Sequence, residues 1–296
     1  MTLLFAGLAV GAVYAIVAYG YNLTYTTSGV LNFATAHMTM LGTFIAASLM
    51  SGSGMPLWMI VGACLSVGAA VGFLVELTAV APLKSYRLRR SGTGAAGHGE
   101  LVTTVGASTV ITGLAFIVWG SDPLRVPLFT DDSRFPFLGG QVRPSDLTVI
   151  LVAVAVGLAL HFWTKRSRLG LASLAQTEDR DAAMLQGINV RLLSSLGFTL
   201  AGGLGCALGV VVGAKTLAVV GFALVLAIKG FVALTLGGVG SHLGAMIGAG
   251  VLGVGEVMTA RWVGTDYRSI LVFLVFIAVL LLRPQGLFGT ARGRTV

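Results

Sequence analysis

Long apolar runs with almost no charge inside them, cut at three places by clusters of lysine and arginine, leave this chain few ways to fold. Hydrophobic residues make up 56% of its 296 positions and charged residues only 10%, too little polar surface to cover a soluble globule. A spanning helix takes ~20 apolar residues. The chain therefore holds several spans and no separate soluble domain, and residues 1–296 read as one all-α integral membrane domain, a polytopic bundle.

The charge pattern sets the orientation. Lys84, Arg87, Arg89 and Arg90 form one cluster, Lys165, Arg166, Arg168, Arg180 and Arg191 a second, and Arg283, Arg292 and Arg294 a third. The excess of cations beside apolar spans assigns all three to the cytoplasm, so the net charge of +8 is a membrane signal and implies no nucleic acid partner. Ser121 to Asp146 carries balanced charge and four prolines, which predicts an irregular segment on the outer face. The N-terminus lacks the basic start and cleavage site of a secretion signal, so Leu3 onward reads as a retained first span.

Spans follow in order at Leu3 to Tyr25, Val30 to Met50, Pro56 to Ala81, Leu101 to Trp119, Leu147 to Trp163, Leu192 to Gly213 and Ser269 to Leu282. Between Ala214 and Met258 glycines divide the apolar text into pieces shorter than a span, which predicts broken or re-entrant helices there. The total comes to roughly eight or nine crossings, with the side of the N-terminus open. Lys84 to Glu100, with its Ser91-Gly-Thr-Gly-Ala-Ala-Gly run, reads as a cytoplasmic linker.

Polar residues inside spans are the candidates for a transport path. Asn32, Thr35, His37 and Thr39 crowd the second span; Lys229, Gly237, Gly238 and Glu256 lie in or beside the Gly-rich region. Each has a plainer reading. Lys229 can snorkel to the interface, Glu76 and Glu256 can bond across helices, and the glycines, with Gly240 and Gly244, can serve as sites of close helix approach. No catalytic or metal-binding constellation emerges, and Cys64 and Cys206 lack redox or zinc spacing. Gly209-Val-Val-Val-Gly-Ala-Lys-Thr216 fails as a phosphate loop because Ala214 separates glycine from lysine.

The longest polar break, Thr164 to Arg191, holds one amphipathic helix, Leu171 to Gln186, with Gly187 placed to end it in a left-handed turn. Its Asp181-Ala-Ala-x-x-x-Gly187 spacing resembles the Glu-Ala-Ala-x-x-x-Gly coupling loop of ABC importer permeases, with Asp for Glu. Lys229 to Gly248 and Arg283-Pro-Gln-Gly-Leu-Phe-Gly289 resemble signature stretches of the branched-chain (hydrophobic) amino acid importer permeases, in the family's order. Two other stretches depart from it. In Asn32-Phe-Ala-Thr35-Ala36 the family's His and Gly are replaced, and in Glu76-Leu-Thr-Ala-Val-Ala-Pro-Leu83 its arginines become Leu77 and Ala81.

The resemblance implies a non-enzymatic permease subunit of the bacterial plasma membrane, moving a small, hydrophobic or branched-chain amino acid by alternating access. It implies a second permease subunit (a related chain or a copy of itself), two cytoplasmic ATPases that bind the ATP and Mg, and an extracytoplasmic solute-binding protein. The chain itself needs no cofactor. Glu178, Asp179, Arg180, Asp181, Ala182, Ala183 and Gly187 become the ATPase-coupling residues, with Ala182 and Ala183 small enough to seat in a groove. The rival reading is a self-sufficient secondary transporter or channel that couples ions through Glu76 or Glu256.

Overall fold

The computed structural model describes residues 1–52, 54–83, 98–129, 133–137, 139–283 and 286–288; the first basic cluster, the Gly-rich linker and most of the basic tail lie outside these. Among the described residues are eleven α-helices: α1 Thr2–Ser28, α2 Thr35–Gly52, α3 Leu57–Val75, α4 His98–Trp119, α5 Pro144–Arg166, α6 Arg168–Glu178, α7 Arg180–Leu185, α8 Val190–Thr216, α9 Phe222–Gly237, α10 His242–Trp262 and α11 Arg268–Leu282. Six helical stretches, α1, α3 with its extension to Leu83, α4, α5, α8 and α10, are long and apolar enough to cross a membrane. The protein is a multi-pass, all-α membrane protein. Its only described sheet is a short hairpin, β1 Phe135–Phe137 against β2 Gly140–Val142.

The helices divide into two compact units that interleave along the chain. The first comprises residues 1–22, 131–163 and 228–296, the second residues 23–130 and 164–227. Two units arise from a sequence that reads as one domain because neither is continuous in the chain.

In the second unit α2, α3 and α8 meet backbone to backbone. A Cβ on Gly42 would overlap the Cys206 carbonyl, one on Gly209 the Thr39 carbonyl, and Gly68 and Gly202 face each other in the same way. The four-residue spacing of Gly68 and Gly72, and of Gly205 and Gly209, puts each pair on one helix face. Close approach brings Cys64 beside the Gly42 carbonyl, to which its Sγ donates at 3.8 Å. Along α3 the regular helix gives way to a π-helical stretch, Glu76–Val80, and Ser195 of α8 donates to Glu76 Oε2 at 3.0 Å.

In the first unit α1 and α10 run antiparallel. A Cβ on Gly7 would strike Val254, one on Gly11 would meet Ala249 and Gly250, and Gly253 abuts Gly11. The glycines of α10 do not break it; the helix runs unbroken through Gly244, Gly248, Gly250, Gly253 and Gly255, contrary to the broken segments expected there. Each glycine costs about 1 kcal/mol of helix propensity, offset where its missing side chain lets a neighbouring backbone close in. Within that Gly-rich stretch only α9, at 16 residues, is shorter than a usual span, and the chain turns at Gly238 and Gly240, both with positive φ (103° and 96°).

The N-terminus, whose side the sequence leaves open, is fixed to the hairpin: Gln141 N donates to Thr2 Oγ1 at 3.0 Å. It lies at the same end of the first unit as this hairpin. A tag preceding Met1 and a cysteine at the exposed Ser133 are therefore expected to react with an impermeant reagent in intact cells, and a cysteine at the exposed Asp181 is expected to be shielded. Ser173 is unsuited to this labelling because it is fully buried, its hydroxyl on the Gly170 carbonyl. Shielded Ser133 with labelled Asp181 would invert the orientation.

Candidate functional site

The polar break after α5 folds into two helices and not the single one its periodicity suggests. Ser167 starts α6 by accepting from Gly170 N at 2.9 Å. At Asp179 the backbone is extended (φ −147°, ψ 109°), and its carboxylate accepts from the N–H groups of Asp181 and Ala182 at 2.9 and 3.0 Å. An aspartate that caps a helix start stabilises it by about 1 kcal/mol, so Asp179 itself divides the segment. The end of α7 is closed as the sequence predicts: Gly187 has φ +83°, its N–H donates to Met184 O, and Ile188 N donates to Ala183 O, the paired bonds of a Schellman turn.

This elbow presents a mixed surface. Glu178, Asp181 and Ala182 are exposed, as are Met184 and Leu185, the last at 89%. Ala183 points the other way and is buried within the chain. Its small size serves the chain's own packing, which corrects the expectation that both alanines face a partner. Arg180 is half-buried, its Nε without a hydrogen-bond partner.

Asn32, Thr35, His37 and Thr39 sit in the second unit, all buried. Asn32 Oδ1 accepts from Ala34 N at 3.1 Å, Thr35 donates to Asn32 O at 2.8 Å, Thr39 donates to Thr35 O at 3.2 Å, and His37 Nδ1 lies 3.4 Å from Phe33 O. Hydrogen bonds to their own turn of backbone occupy most of these groups; the Asn32 Nδ2 amide remains without a partner.

Lys229, Gly237, Gly238 and Glu256 belong to the first unit, and there the structure joins two of them. Lys229 Nζ from α9 reaches Glu256 Oε1 of α10 at 2.6 Å. Tyr14 of α1 donates to Glu256 Oε2 at 2.7 Å, and Lys229 donates to the same tyrosine oxygen at 3.1 Å. Arg268, at the start of α11, holds its Nε 3.9 Å from Glu256 Oε1. Lys229 therefore does not snorkel. Tyr14 and Arg268 escaped the sequence reading, because a tyrosine in an apolar run and an arginine at a helix start carry no signal until the fold brings them to the same carboxylate.

A model of the branched-chain amino acid transport system permease component matches residues 3–280. The chain belongs to that family. The permease is 30% identical over 297 residues to the high-affinity branched-chain amino acid transport system permease protein BraD of Pseudomonas aeruginosa, covering 96% of this chain and 94% of the relative. It is 28% identical over 302 residues to the LivH permease of Salmonella typhimurium, covering 97% and 94%. A probable LivH of Methanocaldococcus jannaschii is 26% identical, covering 93% and 88%.

The permease also gives its two signature stretches a shared structural task. Leu287 N donates to Leu236 O at 2.9 Å and Phe288 N to Gly237 O at 3.0 Å, so these two residues of the second stretch satisfy carbonyls left open at the end of α9. Gly286 makes this docking fit: with φ +76°, it has the Gly238 backbone where a Cβ would stand. Asn22 of α1 pins the same turn, its Oδ1 accepting from Gly240 N at 2.7 Å. Gly237 and Gly244 touch backbone to backbone, whereas nothing lies within 4 Å of a Cβ on Gly240, whose glycine answers to the turn alone.

Proposed function

We propose that this permease is the membrane subunit of an ATP-driven, ABC-type importer for branched-chain or other hydrophobic amino acids in the bacterial plasma membrane. The observation that carries the reading is the match along nearly the whole chain to relatives named for branched-chain amino acid transport. Two cytoplasmic ATPases bind ATP and Mg and seat α7 in a groove; a second permease subunit completes the path, and an extracytoplasmic protein delivers the amino acid. ATP-driven closure of the ATPases draws the coupling elbows together and turns the path from one face to the other. About nine crossings, α1 to α5 and α8 to α11, agree with an outer N-terminus and a cytoplasmic C-terminal end.

The secondary-transporter reading fits less well. The matching family is described as the permease component of a transport system, a part that works with others and not a self-sufficient carrier. Proteoliposomes decide between them. The chain with its ATPases, second permease and binding protein is expected to accumulate radiolabelled L-leucine only when ATP reaches the ATPases. Uptake by this chain alone, driven by a proton or sodium gradient, would overturn the proposal.

A further inference from the structure

The four groups that converge in the first unit do not balance. Lys229 and Arg268 bring two positive charges to Glu256, among the described residues the one carboxylate within salt-bridge reach of both. Lys229 is 13% and Glu256 4% exposed, so that pair sits largely out of water, with Arg268, 39% exposed, at its edge. The Arg268 Nε is buried and finds no hydrogen-bond acceptor. The site is short of one oxygen acceptor, at the Arg268 Nε.

A buried ion pair is also a poor choice if the only purpose is to hold helices together. Desolvating the two ions cancels most of their attraction, and apolar residues of similar volume do as well or better. Ionisable groups within a membrane domain are sparing and mark solute or ion pathways.

Reach favours the same conclusion. An open groove of about 540 Å³ is lined by Leu3, Arg261 and Trp262, at the end of the antiparallel α1–α10 pair fixed by the Thr2–Gln141 bond. Glu256 lies six residues before Trp262 on α10, about 9 Å of helix rise below that groove. The charged cluster is thus one step inward from the outer face of the unit.

We infer that Tyr14, Lys229, Glu256 and Arg268 form a station for the zwitterionic head of an amino acid. The inference rests on the importer reading above and deepens it. Lys229 and Arg268 take the carboxylate, which gives the Arg268 Nε its acceptor, while the Tyr14 hydroxyl keeps its proton on Glu256 Oε2. Glu256 takes the ammonium, which can share its two oxygens with Lys229. A zwitterion adds no net charge, yet it places one anionic and one cationic group where each finds an opposite partner. The side chain stays outside this set of contacts, so the station reads the amino acid head and leaves side-chain choice to other surfaces.

The test uses the complete transporter, with this chain, its partner subunits and the binding protein reconstituted together, and radiolabelled L-leucine as probe. In the charge-exchanged variant carrying Lys229→Glu and Glu256→Lys, the ion pair survives with its polarity reversed against Arg268 and Tyr14. The exchange also sets a lysine beside Arg268, so it is read only in a complex that assembles and hydrolyses ATP as the unmodified one does; there a head-group station is expected to lose ATP-driven leucine uptake at least tenfold. Arg268→Gln, which forfeits no hydrogen bond made by Nε, is expected to raise the leucine concentration for half-maximal uptake several-fold while the maximal rate stays within twofold.

Uptake within twofold of wild type in the exchanged variant, or an unchanged half-maximal concentration in Arg268→Gln, would overturn the station and leave the importer reading standing. If the exchanged complex fails to assemble or to hydrolyse ATP, the Arg268→Gln result decides alone. An unmodified complex that hydrolyses ATP but imports no leucine would sink the substrate class proposed above, and the station with it.

Discussion

Leu185→Glu is expected to abolish ATP-driven leucine uptake, at least thirtyfold, while the permease still inserts in the membrane. Leu185 is 89% exposed and Met184 42% exposed on a helix of six residues, in a segment that the flanking Lys165, Arg166 and Arg168 assign to the cytoplasm. An aliphatic side chain held bare in water forgoes ~1.5–3 kcal/mol relative to burial. Its setting is rigid, with the Asp179 cap at one end of α7 and the Gly187 turn at the other. A fixed, exposed leucine flanked by the small Ala182 and the acidic Asp181 suits the centre of a contact with a partner groove, where truncation of an anchor costs ~2 kcal/mol or more. Placing a charge there costs at least as much, and 2 kcal/mol corresponds to a factor of about 30 in occupancy.

The measurement is the amount of ATPase that co-purifies with the permease, alongside uptake per ATP. A Leu185→Glu complex that keeps its ATPases and imports at the unmodified ratio would remove α7 from the coupling role. Ala183→Trp tests something else, since Ala183 is buried in the chain, and its expected result is misfolding of the elbow. Gly187→Val acts through backbone conformation alone, because nothing lies near a Cβ there but φ is +83°.

Gly237→Leu is expected to eliminate folded protein. A side chain at this position would begin inside the Gly244 backbone and against Ala245 N, and Gly248 in turn packs on Gly237 and Ala233. Overpacking an ordinary core site costs ~1–3 kcal/mol. Here the obstacle is backbone on both sides and cannot be relieved by a rotamer change, so the cost lies at or beyond the upper end of that range. A domain holds only ~5–15 kcal/mol in total. The same change would also unseat the Leu287–Phe288 segment from the end of α9. Gly221→Leu is the control, for a Cβ at Gly221 meets nothing within 4 Å. Monodisperse recovery in detergent and melting temperature are the readouts. Wild-type values for Gly237→Leu would show that α9 and α10 can separate at no cost.

What the sequence alone determined was whatever depends on short-range chemistry. Apolar run length and the placement of lysine and arginine are local quantities. They gave the all-α membrane class, most helix positions to within a few residues, and the polar elbow with its left-handed end at Gly187. The family motifs were equally readable, because they are strings. The division of the elbow at Asp179 was legible too, as an acid before Arg-Asp-Ala-Ala that can cap the helix it precedes, but helical periodicity ran through it and hid the stop.

What only the tertiary structure decided was which glycines and which polar groups have neighbours from distant parts of the chain. Glycine in an apolar run can mean a break or a contact. The propensity cost is the same in both cases, and only the approaching backbone of α1 and α9 made α10 a continuous, closely packed helix. Lys229 and Glu256 read as isolated candidates because their spacing of 27 residues carries no helical or turn geometry. Their partners Tyr14 and Arg268 lie on two further helices, and a buried charge selects partners by distance in space, to which sequence separation is blind. The docking of Leu287 and Phe288 on the α9 carbonyls is likewise a bond between backbone groups, which every residue type possesses and no residue type announces.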